Sequence, residues 1–282
     1  MIGLIITSLT SMVGQNCIFN KVCKKNLKNQ TEIDSFNIIL YTVCTLIFGA
    51  LLLGGRLSVF TVLLGLVFGT VTAVGTAYRM MALTMGPMHI TLLINTSSMI
   101  IPALSGVFFG ERFSFPKLLA IAVLLFFVYL SLERSSGKKV NFKWFLCSAV
   151  SFLCTGSVGV LQKIHQNSSH KAEVSGFLFV AFLCAIFFCF VRTKFKPERA
   201  VFNRKNVLLS VLCGACVFGA NFLNLKLSGM LPSQLFFPLI NGSSIVITSV
   251  ISVLVFKEHL TKKQSVGLVG GILSLVAICM ID

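Results

Sequence analysis

Polar side chains break the apolar runs of this chain at a few places: Gln15-Asn16, Asn95 with Ser97-Ser98, and Asn241 with Ser243-Ser244. In a medium without water, amides and hydroxyls so placed can replace the hydration shell of a small solute. Gln15, Asn16, Asn95, Ser98, Asn241 and Ser244 are therefore candidate solute-binding residues. The same groups can also tie helix to helix, at about 0.6 kcal/mol per bond on average. The serines suit that use, while Asn95 and Asn241 suit either. Tyr78-Arg79 and Asn224 with Lys226 stand at the ends of two further runs. A cation there can snorkel to headgroups; turned inward, Arg79 or Lys226 would attract an anionic solute group.

Other chemistry finds little material. The acidic residues are Glu32, Asp34, Glu111, Glu133, Glu173, Glu198, Glu258 and Asp282, and each is expected in a turn or at an end. No carboxylate is then embedded in a run to carry a proton, and His89 is the one embedded titrating residue expected. Glu111 and Glu258 read as structural, either capping or pairing with Arg112 or His259. Thr261-Lys262-Lys263-Gln264 fits a capping box, and Ser114 with Pro116 fits the start of another helix. Cys213-Gly214-Ala215-Cys216 has metal spacing but lies in an apolar run without further ligands. There is no HExxH around His259, no Gly-rich phosphate loop and no Gly-x-Ser-x-Gly elbow, so neither a catalytic centre nor a cofactor site is expected.

The elements that hold these residues follow from composition. Of 282 residues, 56% are hydrophobic and only 11% charged, with a mean hydropathy of +0.93. A soluble domain carries roughly 25% charged residues, so the chain is read as an all-α, multi-pass membrane protein. Spans are expected at about 2–20, 36–54, 58–80, 88–109, 116–132, 144–162, 174–191, 207–227, 233–256 and 264–281, ten in all. Their length and continuity exclude a β-barrel. Residues 1–20 lack the basic start and cleavage site of a secretory signal and read as a retained first span. The net charge of +16 gathers in short connections where anionic headgroups lie, which argues against a nucleic-acid partner and for the lipid bilayer. Odd-numbered connections hold 18 of the 24 Lys and Arg, which places them inside and both termini outside. The ten cysteines fall mostly in apolar runs as small hydrophobes. Gly65, Gly69, Ala73 and Ala77 recur every four residues, a strip suited to internal packing or to a homodimer seam.

The two halves repeat. Gly14–Lys21 matches Gly156–Lys163 at an offset of 142, Leu93–Ser98 matches Leu239–Ser244 at 146, and Gly110–Ser114 matches Lys257–Thr261 at 147. Five spans, an odd number, set a second copy upside down, so residues 1–136 and 137–282 are expected to be two inverted five-helix repeats with a ligand site between them.

At Ala77-Tyr78 and Ala82-Leu83, the Gly110-Glu111-x-x-Ser114 turn, and their recurrence through Leu223–Ser228, Lys257–Thr261 and Gly267, Gly270 and Gly271, the chain resembles the drug/metabolite transporter superfamily, in its EamA-like ten-span branch. One departure is a proline of span four, replaced by Ser98 or displaced to Pro102. The resemblance implies a carrier that exposes a central cavity alternately to each side, for a small metabolite or drug, in the cell membrane. Without an embedded carboxylate, facilitated diffusion or exchange is expected. The 27 phenylalanines would give the cavity an apolar, stacking wall. A second reading is a scaffold or accessory membrane protein with a carrier-like fold that moves nothing. Sugar-nucleotide carriers of this kind usually keep their termini in the cytosol, opposite to the charge bias here.

Overall fold

The structure is a computed structural model that describes residues 1–25, 30–53, 55, 57–86, 88–112, 114–131, 141–194, 204–256 and 261–281. The described residues form helices and turns, with no strand. The helices are α1 (Ile2–Lys25), α2 (Gln30–Leu52), α3 (Val59–Met85), α4 (Met88–Ser97), α5 (Ile100–Ser105), α6 (Phe115–Ser131), α7 (Phe142–Gln166), α8 (Val174–Lys194), α9 (Arg204–Ser228), α10 (Ser233–Phe256) and α11 (Lys262–Met280). A 3-10 turn, Gly106–Phe109, follows α5. Eight segments among the described residues are long and apolar enough to cross a membrane: Ile2–Phe19 of α1, then α2, α3, Ile90–Phe109, α7, α8, α9 and α11. Large apolar side chains such as Phe108, Phe142, Phe187 and Leu212 stay exposed. In a protein of this composition such a surface belongs to lipid.

Several helices outrun the apolar stretches that announce them. α1 continues to Lys25, α3 to Met85 and α7 to Gln166, because polarity alone does not stop a helix; unsatisfied backbone needs a cap or breaker. One consequence corrects the sequence reading of Asp34. It lies in the second turn of α2, fully buried, and pairs with Arg192 near the end of α8 at 3.0 Å.

Span four is broken between α4 and α5. Pro102 has no N–H to give the Ser98 carbonyl, and Ile101 bonds that carbonyl instead at 3.1 Å. The Ser98 hydroxyl competes for the Asn95 carbonyl at 2.6 Å. Expected start signals are present: Thr261 and Gln264 form the capping box of α11, and the Ser114 hydroxyl accepts from the Lys117 N–H at 3.4 Å.

Two apolar cores result. The larger gathers α1, α2, α3, α8 and α9 around Leu40, Phe48, Phe68, Phe177 and Phe182, with Cys44, Cys189 and Cys213 among them. The other joins α5, α6, α10 and α11 around Ile121, Leu124, Phe236, Ile240 and Ile278. Helices of the two sequence halves interleave: α3 packs on α7 and α8, as α9 packs on α1 and α2. The small-residue strip of α3 is used inside the fold. A Cβ on Gly69 would lie 2.1 Å from the Ala181 carbonyl oxygen, and one on Gly65 would lie 3.0 Å from that of Phe177.

Candidate functional site

Between the two cores lies a cavity of about 190 Å³. Its wall is built where helices carry polar groups on their inward faces. α1 contributes Met12, Gln15 and Phe19; α2 Leu40 and Tyr41; α3 Thr72, Thr76 and Arg79. The α4–α5 break contributes Ser98, Met99 and Pro102. α7 supplies Thr155 and Gln162, α9 Asn221 and Asn224, and α10 Phe236, Phe237, Ile240 and Asn241. Among the described lining residues Arg79 carries the only formal charge.

Five of the sequence candidates meet here: Gln15, Arg79, Ser98, Asn224 and Asn241. The other five sit off the wall. Asn16 accepts from the Arg79 guanidinium at 3.3 Å and so steadies it, while the guanidinium carbon stands 5.7 Å from the Phe19 ring centre. Tyr78 packs on the small cluster of Ala82, Trp144 and Cys147. Asn95 is buried and accepts from Ser151 at 3.0 Å and Thr155 at 3.2 Å, joining α4 to α7. Ser244 is buried and donates to the Asn241 carbonyl at 2.9 Å. Lys226 is exposed, its ammonium 4.2 Å from the Phe222 ring centre.

Tyr41, Thr72, Thr76, Gln162 and Asn221 line the cavity without having been singled out. A signal was available for three of them. Thr72, Thr76 and Arg79 follow helical spacing on one face of α3, and Asn221 lies three residues before Asn224 on α9.

Polar latches flank the cavity. Next to Gln162, Lys163 is 4% exposed; its ammonium pairs with Glu111 at 2.5 Å and donates to the Leu231 carbonyl at 2.9 Å. Glu111 also accepts from the Ser233 N–H at 2.6 Å, at the start of α10. Its partner is thus Lys163 rather than the expected Arg112 or His259. Gly110, in the left-handed region at φ 76°, ends the 3-10 turn immediately before it. Glu258 and His259 lie outside the described residues, as does the side chain of His89.

A second latch joins Glu173, just before α8, to the cap of α3. Ser58 donates to the Glu173 carboxylate from its N–H at 2.9 Å and its hydroxyl at 2.8 Å, and His170 contacts it at 3.1 Å. Burial works to raise the Glu173 pKa, but hydrogen bonds from Thr61, Ser58 and His170 outweigh it and hold the group at about 2.

No curated protein matches the chain significantly. It is similar to a protein of known crystal structure with 12% sequence identity over 99% of each chain and a TM-score of 0.74, a likeness of fold. Residues 142–280 match the model of the EamA-like transporter family. This match, over the second half of the chain, supports a place in the drug/metabolite transporter superfamily, through its EamA-like branch.

Proposed function

We propose that the protein is a solute carrier of ten spans, arranged as two inverted five-helix repeats over residues 1–136 and 137–282, which opens its central cavity to each side in turn. The observation that carries this reading is the cavity itself, a hollow inside an apolar bundle that gathers Arg79 and the five amides of Gln15, Gln162, Asn221, Asn224 and Asn241, walled by helices from both halves. Its solute is a small metabolite or drug that trades water for the amides and hydroxyls of Gln15, Gln162, Asn221, Asn224 and Asn241.

The interleaved packing supports the repeat. Exchanging the halves turns the α3–α7 contact into α9–α1 and the α3–α8 contact into α9–α2, and all four contacts are present. The cavity wall has no carboxylate among its described residues, which favours facilitated diffusion or exchange. Asp34 is embedded, yet it is paired with Arg192 and lies outside the wall.

The test combines metabolite profiling with reconstitution. Solutes whose cellular levels shift in opposite directions between a knockout and an overexpressing strain should exchange across proteoliposomes without a pH gradient. Exchange that requires such a gradient would replace diffusion with proton coupling; no exchange by any solute would return the protein to an accessory role.

A further inference from the structure

Resting on the carrier reading above, we infer that the cavity selects a small hydroxylated carboxylate anion, with its carboxylate seated at Arg79. The charge of the wall is the first argument. Arg79 supplies one positive charge, and no Asp or Glu is among the described lining residues, so an entering cation meets a like charge with no carboxylate to receive it. A guanidinium offers planar, bidentate donors that fit a carboxylate. Asn16 and Phe19 fix this one at its place on α3, while Lys226 lies on the outer surface of the bundle and plays no part.

The acceptors on the wall are the second argument. Asn221 and Asn241 each spend an amide N–H on a carbonyl of their own helix, Val217 and Phe237 respectively, at 2.9 Å. Each therefore retains an acceptor oxygen that suits a solute hydroxyl. A solute with an anionic end and a hydroxyl matches both sets, whereas a purely apolar anion would leave these acceptors unmet.

The full-length protein in detergent tests this by thermal shift with near-isosteric probes: mandelate (anion), mandelamide (neutral), 2-amino-1-phenylethanol (cation) and phenylacetate (an anion without the hydroxyl). Mandelate should bind at least tenfold more tightly than mandelamide and more tightly than phenylacetate, with the cation weakest. Arg79→Gln should abolish the advantage of mandelate over mandelamide. If that variant fails to fold, Asn241→Ala should narrow the gap between mandelate and phenylacetate while leaving the charge preference intact. Equal or tighter binding of the amide or the cation, retention of the preference in Arg79→Gln, no narrowing in Asn241→Ala, or no binding of any probe would overturn the inference. Counterflow in proteoliposomes separates the two readings. Movement of neutral or cationic solutes in preference to anions defeats only the anion assignment, whereas bound mandelate with no movement of any solute defeats the carrier.

Discussion

At the scale of single residues, the balance between desolvation and hydrogen bonding decides what a polar group does. Glu173 shows this outside the spans. Its carboxylate is held at about pKa 2 by the groups capping α3, against an ordinary value of 4.5. A depressed folded pKa means the ionised form is favoured by folding, so this contribution is complete above about pH 4.5 and disappears as pH falls toward 2. Thermal unfolding in detergent should therefore show the native protein losing stability between pH 5 and 3, with Glu173→Gln less stable at pH 6 and less steeply dependent on acid. A parallel pH profile for the two proteins would refute the assignment. The sequence made the mid-run amides and Arg79 legible because strongly polar groups in apolar runs stand out. It could not divide solute contact from helix pairing: Asn95 and Asn241 look alike in sequence, yet one bonds α7 and the other lines the cavity. The threonines of α3 escaped notice because a hydroxyl on a β-branched side chain barely lowers the hydropathy of a span.

At the scale of elements, the sequence gives away helix existence and type, but not where helices end or which ones touch. Ten apolar runs correspond to the helical segments found, with span four split at Ser98 and Pro102. Contacts such as Glu111–Lys163 and Asp34–Arg192 join residues 52 and 158 positions apart, which no local pattern encodes. The α3–α8 seam depends on missing side chains. Gly69→Ala would drive its new Cβ into the backbone of Ala181, and overpacking of this kind costs about 1–3 kcal/mol. Gly3→Ala, with nothing within 4 Å, should be neutral to stabilising by up to about 1 kcal/mol in the same unfolding assay and so control for helix propensity. The Glu111–Lys163 latch is ionic and inward. Glu111→Ala strands a buried ammonium and should cost about 3 kcal/mol, whereas Glu111→Leu with Lys163→Met removes both charges and should recover most of that loss. Additive losses in the double variant would mean the two charges do not act as a pair.

At the scale of the whole molecule, contacts between the ends of helices follow one rule. Numbered by the ten expected spans, Ser58 and Glu173 meet at the connections after two and six, and Glu111, Lys163, Leu231 and Ser233 at or beside those after four, six and eight. Asp34, early in α2, meets Arg192, late in α8, and Gln30 at the start of α2 meets Met81 in the last turns of α3, all at helix ends next to the odd connections after one, three and seven. Even joins even and odd joins odd, as it must if successive spans cross the same thickness in alternate directions. The two faces then differ in charge, since with Arg79 set in the cavity wall the odd connections still hold 17 of the 24 basic residues, and each Lys or Arg beside an anionic cytoplasmic leaflet is worth about 1 kcal/mol. That difference is expected to orient the bundle with both ends of the described chain outside. Epitope tags placed at the two termini should be stained on intact cells by an impermeant antibody, and a tag inserted after Gly137 should be stained only after permeabilisation. Staining of the internal tag alone would reverse the orientation and leave the repeat standing, whereas tags at the two termini stained on opposite sides would mean an odd number of crossings and remove the inverted pair.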